Sequence, residues 1–381
     1  MDARVVLGLV LCAALIGCSN KEEAASKAGG GVPATADISA GKAVAESECK
    51  GCHGMDGKGI APGIPTLAAQ RYRYLVEAME EYRQGKRMHV VLTKIAEGLT
   101  EKQEHNVLAY YASLPPVART SDRPAHAFSP YDEGKKLATE CAQCHGADGN
   151  STTAGIPTLA GQQPVYLVAA IQEYLNAERA RTPMHPVLRS LNRLQMESVA
   201  LYFASQAPAE RGTPPFGDPN AGQPLSAVCG GCHGPSGVSV DTATPRLAGQ
   251  DPRYLVDAIK AYRTTRKRPS MRVYVNQLSE KQIEDIAAFY SIQKSRPAES
   301  GQTLVKDLTD KCNRCHGPDV AANPNVPFPK INGQDRDYLI MALRAYRDNR
   351  RQSSMMHTMS LPYGDAIIES LADYYSGQPV Q

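Results

Sequence analysis

The feature that most constrains this chain is a short pattern, Cys-x-x-Cys-His, that occurs four times. The copies are CKGCH at 49–53, CAQCH at 141–145, CGGCH at 229–233 and CNRCH at 312–316. Their first cysteines recur at nearly equal intervals, and such a period predicts a tandem array of similar units rather than one large fold. The chain has ten cysteines. Because the remaining two, Cys12 and Cys18, lie near the N-terminus, none is left for a structural disulfide or a catalytic thiol.

Similarity between the four units extends well beyond the cysteines. Downstream of the motifs come IPTLAAQRYRYLVEAMEEYRQ, IPTLAGQQPVYLVAAIQEYLN, TPRLAGQDPRYLVDAIKAYRT and FPKINGQDRDYLIMALRAYRD, which align residue for residue. The shared columns are proline (Pro65, Pro157, Pro245, Pro329), glutamine (Gln70, Gln162, Gln250, Gln334) and tyrosine (Tyr74, Tyr166, Tyr254, Tyr338). Residues that recur at one place in every unit are candidates for a shared role.

The hydrophobic pattern of each unit is that of helices. In YLVDAIKAYR the apolar residues fall at i, i+1, i+4 and i+5, and each unit closes on a segment such as LAYYASL or LADYYSGQ. Loops that contain proline separate these segments, because proline interrupts a helix. No stretch alternates with period two for long enough to predict a sheet. The predicted fold class is therefore all-α.

Proline-rich joints set the domain boundaries. The predicted segments are a signal peptide at 1–17, a flexible tether at 18–35, and domains at 36–116 (unit one), 129–207 (unit two), 217–296 (unit three) and 298–378 (unit four). A domain of about 80 residues buries only about 60–65% of its unfolded surface and is marginally stable. With no tryptophan and five phenylalanines in 381 residues, large apolar fillers are scarce. A bound macrocycle would supply the missing apolar volume.

The Cys-x-x-Cys-His motif suits covalent attachment of haem. Two thiols three positions apart meet two vinyl groups of the porphyrin, and the adjacent histidine lies under the iron. Zinc would need two further ligands at zinc-finger spacing, and a redox dithiol would need a βαβ context; neither is present. The sequence therefore predicts four molecules of haem c. The predicted attachment residues are Cys49, Cys52, Cys141, Cys144, Cys229, Cys232, Cys312 and Cys315, with His53, His145, His233 and His316 as proximal ligands.

A methionine downstream in each unit is the predicted distal ligand. The candidates are Met88, Met184, Met271 and Met356. In the last three units the methionine stands at one constant separation from the second residue of the closing aromatic pair, whereas the separation from Met88 is longer. The string MH-x-VL, which Met88 and Met184 share, favours Met88 as the equivalent residue.

Several alternatives to these distal ligands stay open. His89 competes with Met88, and Met355 is adjacent to Met356. His185 and His357 directly follow ligand methionines, so bis-histidine ligation is an alternative in those units. An isolated methionine near an apolar helix is ordinarily core filler; recurrence in register is what favours the ligand interpretation.

The proline and glutamine columns have supporting interpretations. The proline follows the proximal histidine at one constant separation in the first three units and one position later in the fourth. A carbonyl there is expected to accept the histidine Nδ1–H and so fix the tautomer that ligates iron. The repeated glutamine and tyrosine either reach a haem propionate or merely pack.

The N-terminus resembles an export signal. Arg4 precedes an apolar run from Val5 to Ile16, which is too short to predict a membrane-spanning helix. The L-I-G-C at 15–18 resembles a bacterial lipobox, so we expect cleavage before Cys18 and lipidation of that cysteine. Plain secretory cleavage and an uncleaved anchor are the alternatives. The expected location is the periplasm, with a lipid anchor in a bacterial membrane.

Charge gives no argument for nucleic-acid binding or for coating a membrane. The chain carries 42 basic and 39 acidic residues, a formal net charge of +3. Unit three is the exception, with 11 basic and 7 acidic residues, five of the cations lying in RTTRKRPSMR around Met271. This loop either neutralises propionates or forms a docking patch (Arg266, Lys267, Arg268) for an acidic partner.

Taken together, these motifs resemble the class I c-type cytochromes of the dihaem cytochrome c4 type. The resemblance covers nearly all of residues 38–378, and each pair of units resembles one such dihaem protein. It implies four class I cytochrome c-like haem domains arranged as two dihaem pairs, with two haems close together in each pair. How haems communicate between units two and three is left open.

The resemblance also implies a function, electron transfer between redox proteins of a respiratory chain. The expected partners are a membrane quinol oxidoreductase and a terminal oxidase or reductase. Because every iron has a methionine candidate and no cysteine is spare, we expect an electron carrier rather than an enzyme. The alternatives are an electron-transfer subunit of a larger dehydrogenase, or a multihaem enzyme with an open iron in unit one.

Overall fold

The computed structural model describes residues 31–117, 128–179, 183–297, 305–317, 323 and 325–380. Across these ranges the chain is helical and contains no β-strand; an isolated antiparallel β-bridge joins Arg87 and Arg351. The predicted all-α fold is confirmed. The predicted signal peptide and Cys18 lie outside the described residues. Within the described ranges, no helix is long and apolar enough to cross a membrane.

The four units repeat one order of helices, with the haem motif at the end of the first helical segment. Unit one contains α1 (Ile38–Val44), a π-helical turn (Ala45–Cys49), α2 (Lys50–His53), α3 (Tyr72–Arg83), α4 (Val90–Gly98) and α5 (Glu101–Ser113). Unit two contains α6 (Pro130–Leu137), α7 (Thr139–His145), α8 (Pro164–Leu175), α9 (Met184–Leu188) and α10 (Arg193–Ser205). Each unit closes on a long helix that packs against its first one.

Units three and four follow the same order. Unit three contains α11 (Pro219–Leu225), a 3-10 turn (Ser226–Val228), α12 (Gly230–His233), α13 (Pro252–Thr264), α14 (Pro269–Val275) and α15 (Glu280–Ser291). Unit four contains α16 (Val305–His316), α17 (Arg336–Arg347), α18 (Ser354–Ser360) and α19 (Asp365–Ser376). Local signals explain many of the starts: Pro130, Pro164, Pro219, Pro252 and Pro269 open helices, where a missing N–H costs nothing.

The closing helix forms the core of each unit. In the first three units a capping box fixes its start, as with the N-cap Ser279 and Gln282 in the first turn of α15. One residue of the terminal aromatic pair is almost completely buried in every unit, namely Tyr111, Phe203, Tyr290 and Tyr375. The haem motif lies beside this aromatic residue; the ring centroids of His53 and Tyr111 are 6.5 Å apart.

The units associate as two pairs, but the pairs are not neighbours along the chain. Unit two packs on unit three, where the Gln250 side chain accepts from Thr158 N–H at 2.6 Å. Unit one packs on unit four, where the Gln334 side chain accepts from Thr66 N–H at 2.7 Å. The two pairs of units are therefore nested rather than sequential along the chain. Units two and three, whose relation the sequence left open, lie in the same pair.

The two pairs also contact each other. The carboxylate of Glu197, on α10 of unit two, accepts from the backbone N–H of Ala366 at 2.9 Å. This bond caps the first turn of α19 in unit four, where exposed N–H groups favour an anionic partner. Glu197 is only 6% exposed. The contact joins the pair of units two and three (the 2·3 pair) to the pair of units one and four (the 1·4 pair) through a buried carboxylate.

Candidate haem sites

Each proximal histidine is oriented by the proline that follows it. The Nδ1 atoms of His53, His145, His233 and His316 lie 3.2, 2.8, 2.8 and 2.9 Å from the carbonyl oxygens of Pro65, Pro157, Pro245 and Pro329. The expected hydrogen bond is therefore confirmed in all four units. Donation of Nδ1–H to a carbonyl leaves Nε2 unprotonated and available to a metal.

Burial keeps these imidazoles neutral. Desolvation lowers the pKa of all four proximal histidines below the ordinary 6.5, and the proline hydrogen bond opposes it only in part. In unit one the charge of His89 also lowers the pKa of His53, to a smaller extent than burial does. A neutral imidazole is the form that binds iron.

The cysteines of each motif differ in environment. The first cysteine is half-buried in every unit, while the second is exposed in the first three units. Burial raises the pKa of Cys49 and of Cys141 to about 11, so these thiols stay protonated near neutral pH. Both cysteines lie within about one turn of the ligand histidine, which is the arrangement that a thioether-linked porphyrin needs.

One continuous cavity of ≈ 450 Å³ runs through the pair of units two and three. Its lining includes Cys141, Cys144, His145 and Met184 of unit two together with Cys229, Cys232, His233 and Met271 of unit three. Apolar side chains such as Leu167 and Leu255 provide much of the remaining wall. The predicted haem residues of both units therefore face a shared space.

The four predicted distal methionines differ in how far they are exposed to solvent. Met184 and Met271 line the cavity of their pair. In unit four, Met356 is half-buried whereas Met355 is 56% exposed. In unit one, the Met88 side chain is 84% exposed. The four proximal sites are thus built alike, and the distal side of unit one stands apart.

The glutamine column bonds the units to one another. Gln162 of unit two donates through Nε2 to the Arg246 carbonyl at 2.9 Å and accepts from the Arg246 N–H at 2.7 Å. Gln250 returns the same pair of bonds to Thr158 of unit two. Gln70 and Gln334 repeat the arrangement between units one and four. The column is a two-fold pairing device between units.

Buried arginines and tyrosines meet at the same interfaces. Arg179 and Arg266 contact Tyr166 and Tyr254, with Nη2 to hydroxyl distances of 3.4 and 3.2 Å. In the 1·4 pair, the Nη2 atom of Arg351 donates across the interface to the Tyr74 hydroxyl at 3.0 Å. Sequence reasoning missed the arginine column, although Arg87, Arg179, Arg266 and Arg351 each follow closely on the last tyrosine of the aligned helix.

The basic loop of unit three is largely engaged within the protein. Arg266 is 8% exposed and lies against Tyr254 and Tyr262. Arg268 is held by Glu173 of unit two, with Nη2 to Oε1 at 2.7 Å. Burial therefore removes Arg266 from the proposed docking patch, whereas the Arg268 side chain, although paired, is 42% exposed. Lys267 is exposed.

The unsatisfied charges at the interfaces fit haem propionates. Arg71 is completely buried, and its Nε and Nη2 have no hydrogen-bond partner among the described residues. Its Nη1 donates to the carbonyl of Phe328, whose ring centroid lies 6.3 Å from that of His316, so Arg71 lies near the proximal site of unit four. The Nε of Arg351 is also buried without a partner in the described part of the chain. Because a buried cation without an anionic partner is costly, an anion such as a propionate would stabilise both arginines.

The comparisons with known proteins agree on one family. The cytochrome c family model matches residues 38–114, 131–206 and 220–291, which lie in units one, two and three. Cytochrome c4 of Thiocapsa roseopersicina is 30% identical over 181 residues, covering 43% of this chain and 94% of that protein. Cytochrome c4 of Stutzerimonas stutzeri is 33% identical over 187 residues, covering 42% and 89%.

Two further relatives extend this picture. A protein of Thiomonas intermedia (strain K12) named as a thiosulfate dehydrogenase electron acceptor is 29% identical over 173 residues, covering 42% of this chain and 79% of that protein. The crystal structure of reduced recombinant cytochrome c4 from Pseudomonas stutzeri matches with 27% identity and a TM-score of 0.38, covering 43% and 98%. Each of these relatives thus aligns with somewhat less than half of this chain.

Proposed function

The chain belongs to the cytochrome c family, and from that premise we propose that it is a tetrahaem electron carrier. It transfers electrons between periplasmic or membrane redox partners of a respiratory chain. The observation that carries this proposal is the fourfold repetition of one site, in which a proline carbonyl orients the histidine of Cys-x-x-Cys-His. When bound, haem c supplies an iron that alternates between its ferrous and ferric states.

The residues of the chain have separable roles in this function. The eight motif cysteines hold the macrocycles covalently, and the four histidines ligate iron through Nε2. Met184, Met271 and Met356 are the proposed distal ligands of units two, three and four. A thioether ligand raises the reduction potential relative to a second histidine. The buried arginines Arg71 and Arg351 bind propionates and exclude water from the interfaces.

The nested pairs define the route of the electron within the molecule. Because the proposed haem residues of units two and three line one cavity, transfer inside that pair covers a short distance. The same pairing devices join units one and four. Passage between pairs occurs where α10 meets α19 near Glu197.

In this proposal the redox partners lie at the periplasmic face of a membrane. Lipidation of Cys18 tethers the carrier to a bacterial membrane, within reach of a quinol oxidoreductase and a terminal oxidase or reductase. A second candidate is an electron-transfer subunit or acceptor for a larger dehydrogenase. A relative named as a thiosulfate dehydrogenase electron acceptor favours that candidate. Purification of the protein from its native membrane separates the two, because a subunit co-purifies with its dehydrogenase.

The test of the carrier proposal is a haem count combined with potentiometry on the purified holoprotein. A pyridine haemochromogen assay is expected to give four c-type haems per chain. Magnetic circular dichroism during a redox titration is expected to show His/Met signatures for units two, three and four. Fewer than four haems, or an absence of His/Met signatures, would contradict the proposal.

A further inference from the structure

A buried arginine that recurs in every unit shows which residue of unit one corresponds to the distal methionines of the other units. Arg87, Arg179, Arg266 and Arg351 are 5–8% exposed, and each lies over one or two tyrosine rings of its unit. In units two, three and four the ligand methionine is the fifth residue after this arginine. In unit one the fifth residue after Arg87 is Leu92.

Two further measures give the same register. Met271 and Met356 are each the third residue of the short helix that follows the loop, and the third residue of α4 is Leu92. The separation along the chain from Leu92 to the buried Tyr111 also equals the separation from Met271 to Tyr290. Leucine has no atom that can coordinate iron. Unit one therefore carries an inert side chain where the other units carry a thioether.

Met88 is not suited to replace the missing ligand. It follows Arg87, whose backbone forms the β-bridge to Arg351 of unit four. A second bond from Gln352 N–H to the Lys86 carbonyl at 2.9 Å fixes the same segment. The Met88 side chain is 84% exposed. To reach an iron it would have to break contacts that hold units one and four together.

The His89 side chain caps a helix and is therefore not free to bind iron. It is the N-cap of α4, and its Nδ1 accepts from the Leu92 N–H at 3.2 Å. An Nδ1 that accepts a hydrogen bond places the hydrogen of the neutral ring on Nε2. Each proximal histidine shows the reverse arrangement, with Nδ1 donating to a carbonyl. His89 therefore presents a donor N–H rather than a ligand lone pair.

The remaining candidates in unit one are used elsewhere. Met55 and Met79 pack against the hydrophobic core of the unit. His105 is hydrogen-bonded to the Tyr72 hydroxyl. Within residues 38–114, which the structure describes completely, no other methionine or histidine is available besides the proximal His53.

We propose that haem 1 has no distal ligand from the protein, and that Leu92 leaves its sixth coordination position open to a small diatomic molecule. This inference rests on the proposed haem attachment in unit one. Unit one would then act as a ligand-binding haem in a chain whose other three haems only exchange electrons.

The test is carbon monoxide binding to the dithionite-reduced holoprotein, followed in the Soret region. The expected stoichiometry is one carbon monoxide per four haems. Leu92→Met restores the thioether of the other units, so it is expected to abolish carbon monoxide binding and to add a fourth His/Met signature by magnetic circular dichroism. Wild-type protein with four low-spin haems and no carbon monoxide binding would overturn the proposal, as would unchanged binding in L92M.

Matched variants separate the remaining explanations. Met184→Leu places in unit two the side chain that unit one carries naturally, and it is expected to raise the stoichiometry to two per chain. Met88→Leu and His89→Gln are expected to keep one; a new open site in either variant would identify that residue as the ligand and overturn the proposal. The haemochromogen count is read in every sample. A value below four contradicts haem attachment itself, whereas four haems without carbon monoxide binding contradicts only the open site.

Discussion

At the scale of single residues, Glu173 shows how one carboxylate holds two units together. It pairs with Arg179 of its own unit at 2.7 Å and with Arg268 of unit three at 2.7 Å. Burial alone would raise the pKa of Glu173, but the hydrogen bonds from Arg268 and Arg179 outweigh it and leave the pKa below its usual 4.5. A single anion thus compensates two cations, one from each side of the interface.

We predict that Glu173→Gln destabilises the holoprotein by about 2–4 kcal/mol at pH 7, because removing one partner leaves a buried cation uncompensated. A group whose pKa is lowered in the folded state stabilises it above the unfolded value and loses that effect as the pH falls. The difference between variant and wild type should therefore shrink as the pH falls below the usual glutamate value of 4.5. Guanidinium unfolding followed in the Soret region measures it. The exposed Glu178→Gln is the control, and equal effects of both variants would contradict the role of Glu173.

At the scale of helices, close approach of the first and last helix shapes each unit. A Cβ atom at Gly222 on α11 would lie 2.0 Å from the backbone oxygen of Asp285 on α15. Gly41 and Gly134 meet Asn106 and Ser198 at the same 2.0 Å in units one and two. Glycine is required there because the opposing atom is backbone and cannot rotate away. The helix crossing in these three units therefore depends on one residue per unit.

We predict that Gly222→Ala destabilises unit three by about 3 kcal/mol, since insertion of a methyl group into a packed contact costs about 1–3 kcal/mol and the obstacle here is rigid. Gly231→Ala is a matched control in the same unit, because nothing lies within 4 Å of its Cβ position. Thermal unfolding by near-ultraviolet and Soret circular dichroism compares the two. Equal midpoints for G222A and wild type would exclude the proposed helix contact.

At the scale of the whole molecule, the nested pairing makes one assembly out of four domains. Units two and three form the inner pair and units one and four the outer pair, each held by reciprocal glutamine bonds. The chain passes from the outer pair through the two units of the inner pair and back to the outer pair. Each half of the chain therefore contributes one unit to the inner pair and one unit to the outer pair. Separation of the halves would have to break two interfaces at once.

A protease site inserted between Gly212 and Thr213, in the joint between units two and three, tests this arrangement. After cleavage we expect the two halves to co-elute in size-exclusion chromatography at the size of the intact protein. Sequential pairing of units one with two and three with four would instead release two dihaem halves. Gln250→Leu combined with Gln334→Leu, which removes bonds from both interfaces, is expected to promote dissociation of the cleaved protein.

The sequence by itself determined the chemistry of the sites, because that chemistry is local. The spacing of Cys141, Cys144 and His145 fits a haem motif wherever the helix lies, and the recurring Pro157 predicted the carbonyl that orients His145. Helical periodicity and proline-rich joints likewise predicted four all-α units. Short-range geometry is encoded by neighbouring residues and needs no knowledge of the rest of the chain.

Tertiary structure alone decided which units pair and which residues serve the pairing. Gln162 bonds to Arg246 of another unit, a contact between distant parts of the chain that no local pattern specifies. Burial of Arg266 likewise follows from the surfaces that pack over it, and a charged loop is expected to be exposed until those surfaces are known. In unit one, a shared string favoured Met88, whereas the buried Arg87 places Leu92 at the same separation as the methionines of the other units. Register and pairing are properties of packed surfaces, and a surface is complete only when distant parts of the chain meet.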